Sequence, residues 1–450
     1  MISQSSPTKS RSSKSFANSV STCVYERVAR FFPRLVLHVA ISVALFACVS
    51  PQSSHAAPTY VDKRVTSIPA ATLLTQPGQR LVDPRRQRAA QRVGGYDRPL
   101  FFLWALSQIA ALIYLWASGL GARLRDAIRR LVSNSFAARA IYGAALIAIS
   151  AAASFPAALV RYRVAYSFGL TTERAAAWYR DGLLTTALDA AVVGAIVASV
   201  FTLVDRTRFW YLYAMAGLFV VTLVMAFVEP VVVSPLYNHV ASLPAKAAIS
   251  QPIRTLARRA GIGQAPIGIR NDSLRSDTVE AEVVGFGPTT RIVLGDALLD
   301  DASPGEVLVL AAREFGHYAH GDTFRLSLFW TSLFIVCTAL AVVIADRVTF
   351  RRDDDPLARL SLVLAFMGLL GLAVTPIYNG YSRNLESRAD AYALALTGDR
   401  ASAVRAYVRI ADETLAPLCP SRSVRAYFYN SPPLGTRIAK AAGRPDPCRR

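Results

Sequence analysis

Within eight residues, Arg313 to His320, the stretch LAAREFGHYAHGD (Leu310–Asp322) carries an arginine, a glutamate and two histidines. In the pattern H-E-x-x-H, two histidines four apart leave one face of a helix and reach a single zinc ion. The glutamate between them polarises the metal-bound water for hydrolysis. Here Glu314 and His317 fill the second and fifth positions, but Arg313 fills the first. The implied chemistry is metal-assisted hydrolysis, with a permanent cation where a neutral ligand belongs. A lone helical histidine is more often a structural hydrogen-bonder than a ligand, so R-E-F-G-H alone is weak evidence.

The elements around it are better signalled. Ser303 is an N-cap, Pro304 opens the first turn, and Glu306, three residues after Ser303, completes a capping box. Gly321 is a natural terminator, so Arg313, Glu314 and His317 lie inside one helix, with Arg313 and His317 sharing a face. Upstream, QPIRTLARRAGI reads as an amphipathic helix with Ile253, Leu256 and Ala257 on one side. APIGIRND is a short strand into a turn, and TVEAEVVGFGPTTRIVLGDALL reads as two strands around a turn at Gly285–Gly287. Downstream, YSRNLESRADAYALALTG sets Glu386 and Asp390 four apart on a helix, where they project together. The plain reading of that pair is a solvated face salted by Arg383 and Arg388.

The 450 residues have a mean hydropathy of +0.33, 18% charged residues and a formal net charge of +20. That hydropathy with so few charges is normal for a chain with several membrane spans. The arginines are scattered, without a clustered basic helix or interleaved aromatics, which excludes nucleic acid as the expected partner. Six apolar stretches, about 99–120, 140–160, 182–204, 209–228, 326–345 and 360–378, approach the ~20 residues that cross the hydrocarbon core. Buried helices of a soluble protein rarely give so many. The bilayer is therefore an expected partner.

Before these stretches, residues 1–57 join a basic n-region to the 15-residue apolar run LVLHVAISVALFACV and small residues near Ala56. This reads as a secretory signal peptide, with a retained signal anchor as the alternative. It predicts a bacterial inner membrane, with the soluble loop 235–325 on the outer side. The remaining divisions are a polar juxtamembrane segment without a core (58–98), a membrane domain of four spans (99–234), a site-bearing domain with two further spans (235–440) and a tail (441–450). The five cysteines form no metal-ligand spacing; Cys419 and Cys448 lie in the C-terminal region, where a disulfide is possible but not demanded.

Four more stretches, taken in order, give the site its context: EPVVVSPLYNHVASLP (229–244), GFGPTTRIVLGDALL (285–299), the Glu386 helix, and SPPLGTRI (431–438). Separated by these spans, and with RYRVAYSFGLTTERAAAWYRD (161–181) ahead of them, they resemble the integral-membrane zinc metallopeptidases of the type 1 CAAX prenyl protease family. The resemblance implies an all-α polytopic membrane protein with a small α+β zincin-like metallopeptidase domain, acting on a peptide or membrane-protein substrate with zinc as cofactor. It assigns His317 as second zinc ligand, Glu386 as third, Glu314 as general base, Asp390 as a supporting carboxylate and Arg437 as an oxyanion stabiliser.

Departures fall at the points of chemistry. Arg313 replaces the first ligand, Ser431 replaces a histidine before proline, and Glu280-Ala281-Glu282 stands where the family has an asparagine-alanine-aromatic run. His320 does not compensate, because a histidine there accompanies intact motifs too and would move the metal a turn from Glu386. A guanidinium at 313 carries the charge and planar fork to occupy the metal's place between Glu314 and Glu386. The expected function is a membrane metalloendopeptidase homologue of doubtful competence. The alternative is a pseudoprotease that binds hydrophobic or unfolded peptides in a membrane chamber. A transporter is disfavoured, because the spans hold hardly any charge.

Overall fold

The computed structural model describes residues 63–449, apart from 229–231, 277, 286 and 350–354. The signal segment read in residues 1–57 lies outside the described residues. The nearly uncharged runs form helices α1 (Pro84–Ala117), α3 (Ser135–Ser167), α4 (Ala175–Arg206), α5 (Trp210–Val228), α8 (Asp322–Thr349) and α9 (Pro356–Thr397), with a short amphipathic α2 (Leu120–Leu131) between the first two. Three of their starts are set by side-chain caps. Asp83 accepts from the Arg85 N–H at 2.7 Å, Asn134 from Ala137 at 3.0 Å and Asp355 from Leu357 at 2.7 Å.

Five of these helices are long and apolar enough to cross a membrane, where the apolar pattern predicts six. The fourth stretch forms the 19-residue, uncharged helix Trp210–Val228. Other helices exceed their apolar runs. The 42-residue α9 continues well past its lipid-facing part, so Glu386 and Asp390 ride on the same rigid rod that spans the bilayer. Small residues let the rods approach: a Cβ on Gly194 of α4 would stand 2.6 Å from the Ala140 carbonyl oxygen of α3.

The soluble cap contains α6 (Ser250–Arg259), α7 (Pro304–His320), α10 (Arg400–Glu413), α11 (Arg422–Phe428), α12 (Leu434–Ala442) and four strands. Strands β1 (Val240–Ser242), β2 (Ile267–Arg270), β3 (Ala281–Val284) and β4 (Arg291–Gly295) form one sheet in the order β1-β2-β4-β3. β2 and β4 are parallel, and β3 is an antiparallel edge strand pairing Ala281 with Leu294 and Glu282 with Val293. Ile253 and Leu256 of α6, Ile267, Ile292 and Leu294 of the sheet, and Phe315 of α7 fill one core. The protein is thus an all-α membrane bundle carrying a small α+β domain. β1 arises from a stretch whose pattern predicts no strand; three residues give too little alternation to read.

Residues 63–83 also depart from expectation. Read as a polar segment without a core, they form helices Lys63–Thr66, Ala70–Thr75 and Gly78–Leu81, which bury Val65, Leu73 and Leu81 against α10 and α12. Beneath them Arg409 donates to Glu306 at 2.8 Å, with both side chains 0% exposed, and to Thr66 at 2.8 Å. Glu306 therefore caps α7 and anchors a buried ion pair at once: its carboxylate also accepts from the Ser303 N–H at 2.8 Å. Removing one member of such a pair generally costs about 3–5 kcal/mol. Cys419 and Cys448 form a disulfide that ties the tail to the loop before α11.

Candidate active site

Helix α7 supplies Arg313, Glu314 and His317; helix α9 supplies Glu386 and Asp390. Gly316 is what lets the two meet, because a Cβ there would lie 3.0 Å from the Tyr392 Cβ and 3.2 Å from the Ala389 Cα. Across this contact Arg313 spreads its fork. Its Nη1 donates to Glu314 Oε1 and its Nη2 to Glu386 Oε2, while Nε stands 3.5 Å from Asp390 Oδ1. Burial works against the guanidinium's charge, but Glu314, Glu386 and Asp390 together outweigh it and raise its pKa above the usual arginine value. Arg313 is a cation held by three carboxylates.

Asp390 is held in turn from its other side. Arg437 of α12 grips it with two donors, Nε at 2.9 Å and Nη2 at 2.7 Å, and the Tyr407 hydroxyl adds a bond at 3.0 Å. The Arg437 guanidinium also lies over the Tyr407 ring, 4.2 Å from its centroid. Two donors of Arg437 are thereby committed to a carboxylate, whereas the resemblance gives this residue to a developing oxyanion. Ser431 is further out, its hydroxyl 3.4 Å from Asn430 Oδ1. It offers no imidazole to the site.

His317 retains the setting of a metal-binding imidazole. Its Nδ1 lies 3.0 Å from Asp322 Oδ2, and Asp322 accepts from Arg388 at 2.9 Å. A carboxylate at Nδ1 favours the tautomer with its proton there and leaves the Nε2 lone pair inward. That Nε2 stands 3.6 Å from Glu386 Oε1. Sequence reasoning misses Asp322; its placement directly after the helix terminator Gly321, five residues from His317, was the available clue. It also misses the Arg388 partner, which looks like surface charge. His320 packs its ring edgewise on Tyr392, with centroids 5.6 Å apart.

Beside α7, the edge strand forms a second charge cluster. Arg270 contacts Asp272 and Glu282 at 2.6 Å each and Glu280 at 3.4 Å. Burial pushes the Glu280 carboxyl above its ordinary value, with Asp272 adding to the push. The acidic run that departs from the family pattern is therefore structurally matched by an arginine two strands away.

Residues 85–239 match the family model for the CAAX prenyl protease N-terminal region, described as five membrane helices, and here they contain α1 to α5. Residues 245–444 match the model of peptidase family M48. The chain belongs to the type 1 CAAX protease-like membrane metallopeptidases. It is 30% identical over 274 residues to the Uncharacterized metalloprotease YhfN of Bacillus subtilis, covering 59% of this chain and 64% of that protein. It is 28% identical over 278 residues to the CAAX prenyl protease 1 homolog of Arabidopsis thaliana, covering 59% and 63%. The matches thus span less than two thirds of either relative's length. The crystal structure of S. mikatae Ste24p shares the fold, with a TM-score of 0.68 at 18% identity over 93% of this chain and 98% of that one.

The family's zinc requires deprotonated donors, about 2 Å from the ion and free of competing cations. Here Glu386 and Glu314 already accept from a guanidinium, and that guanidinium grows from the position where the pattern needs an imidazole. Among the described residues no three His, Cys, Asp or Glu side chains are arranged to hold a metal. These residues do not fit zinc. Glu314 carries the cost of the arrangement: burial raises its pKa above 4.5, Arg313 offsets only part of this, and Glu386 adds to it. The unfolded chain releases this proton first as pH rises, so the folded state binds more protons in the window above 4.5 and stability falls there with rising pH. Glu314→Gln should flatten that fall in thermal unfolding of detergent-solubilised protein measured from pH 4 upward. An unchanged pH profile would show that Glu314 is ionised without penalty.

Proposed function

We propose that this membrane metallopeptidase homologue is catalytically silent, and that it receives hydrophobic or unfolded peptide segments at the cap without hydrolysing them. The single observation carrying this reading is the Arg313 fork, which joins Glu314 to Glu386 at the metal's place. A hydrolase of this design needs a base free to take a proton from water and a Lewis acid to polarise the carbonyl. Glu314 is bound to arginine instead, and Ser431 supplies no imidazole at the oxyanion end. Peptide reception is supported by β3, which forms an edge of the sheet, the position where an extended peptide can add as a strand. A residual metalloendopeptidase is the second reading, and the His317–Asp322 pair favours it because it keeps one imidazole poised as a ligand.

The setting we infer is a bacterial inner membrane with the cap on its oxidising face. The Cys419–Cys448 disulfide belongs to that face. The short loops at the opposite end of the bundle carry Arg123, Arg129, Arg206 and Arg208, as cytoplasmic loops do. A thiol reagent that cannot cross membranes should label a cysteine introduced at exposed Asn430 in intact spheroplasts. Labelling only after lysis would reverse this orientation.

Arg313→His removes the competing cation and restores the H-E-x-x-H face. Purified wild type should contain far less than stoichiometric zinc and show no chelator-sensitive peptide cleavage, whereas Arg313→His should gain zinc. Cleavage should rise further in Arg313→His with Ser431→His, since one oxyanion donor is commonly worth about a hundredfold to a thousandfold in rate. Stoichiometric zinc with chelator-sensitive cleavage in wild type would establish the second reading.

A further inference from the structure

Directly below the cap, an elongated apolar cavity of about 710 Å³ opens between α1, α8 and α9, lined by Trp104, Gln108, Trp330, Gly371, Thr375 and Asn379 among others. Its wall along α9 runs from Leu364 to Asn379, which at 1.5 Å per residue spans roughly 22 Å. That exceeds the ~15 Å depth of one hydrocarbon leaflet. A Cβ on Gly371 would meet nothing within 4 Å, so the absence of a side chain there keeps the cavity wide.

The cap-side end of this cavity is closed by α11. Asn379 donates to the carbonyls of Ala426 at 3.3 Å and Tyr427 at 2.7 Å. One turn further along α9, Arg383 donates to the carbonyls of Arg425, at 3.0 Å, and Tyr429. This sets the Arg383 guanidinium against the backbone of the segment that carries Arg425, and burial, with the Arg425 charge adding to it, lowers the Arg383 pKa. Neither has a carboxylate ion-pair partner among the described residues; Arg425 Nη1 reaches only the Cys448 carbonyl, at 3.5 Å. Rings mark the same level as the polar boundary of the bilayer: Phe102 lies 5.2 Å from Tyr427 and Phe101 5.6 Å from Phe428, centroid to centroid.

Two neighbouring guanidiniums without a counter-ion are unfavourable at a membrane boundary unless an anion joins them. Their planar forks suit phosphate oxygens, and basic pockets between spanning helices take up lipid headgroups. Above a leaflet-deep apolar groove, the anion that fits both halves is tethered to hydrocarbon. We propose that this groove is a binding site for one anionic phospholipid, its phosphate held by Arg383 and Arg425 and an acyl chain lying along α9 past Gly371. The lipid would sit one turn below Glu386 on the same helix. This site is independent of whether the cap hydrolyses peptides, because it uses none of the residues around Arg313.

Trp104 and Trp330 line the groove and report on it. Full-length protein in detergent is titrated with phosphatidylglycerol bearing brominated acyl chains, which quench nearby tryptophan fluorescence, and with brominated phosphatidylcholine as the zwitterionic control. Saturable quenching should favour phosphatidylglycerol by about tenfold or more in half-saturating concentration, as two arginines facing one anionic headgroup imply. Arg383→Gln with Arg425→Gln should abolish that preference, and Arg383→Lys with Arg425→Lys should keep much of it. Gly371→Leu should remove the saturable component for both lipids, and inorganic phosphate should not displace it. Equal affinity for the two lipids, a preference that survives the glutamine variants, or quenching untouched by Gly371→Leu in folded protein would each overturn the assignment. Displacement by inorganic phosphate at the lipid's own concentration would assign a free-anion site and overturn it as well.

Discussion

A guanidinium suspended between carboxylates of two helices is the interaction on which the cap depends. Glu314, Glu386 and Asp390 converge in a buried space, and three unneutralised carboxylates there would be held apart by repulsion and by lost hydration. A divalent ion is one way to neutralise such a set. Arg313 is another: one permanent positive charge, with donors spaced to reach Glu314 and Glu386 at once. The charge match is incomplete, and Glu314 records the deficit as a pKa pushed up by burial. Hydrolytic chemistry would need that carboxylate free; the fold needs only that it be tolerated.

The surrounding framework shows why the geometry does not require a metal. Gly316 fixes the approach of α7 to α9, and α9 itself is a 42-residue rod anchored in the bundle. Asp390 is clamped by Arg437 and Tyr407 on α12 and α10, and α10 is locked to the start of α7 through Arg409 and Glu306. Each carboxylate is thus placed by packing and by an arginine, Glu314 and Glu386 sharing Arg313. In this chain arginine does repeatedly what other chemistry could do: Arg388 fixes Asp322 under His317, and Arg270 gathers Glu280 and Glu282 along the edge strand.

Features with a strong local period or cap were legible in the sequence. The capping box at Ser303, the terminator Gly321, the strands around Gly285 and most of the apolar spans rest on spacing within a few residues, and spacing survives folding. Arg313, Glu314, Glu386 and Asp390 could be gathered because family motifs bridge the 73 residues between Arg313 and Glu386, which periodicity cannot. Contacts between elements were not legible. Arg409 under Glu306 and Arg388 on Asp322 look like ordinary surface arginines until helices are packed, and Val65 and Leu73 sit too far apart to announce a core.

A double-mutant cycle measures the energetic coupling between Arg313 and the α9 carboxylate Glu386 most directly, without reference to metal or substrate. Denaturant unfolding of the solubilised protein is followed for wild type, Arg313→Met, Glu386→Gln and the double variant. Each single change should destabilise, because it leaves a buried partner charged and unmatched. The double variant should cost less than the two combined by about 0.5–3 kcal/mol, the range for groups in one network. Additive losses would mean that Arg313 and Glu386 do not depend on one another, and that the guanidinium merely occupies the metal's place without doing its structural work.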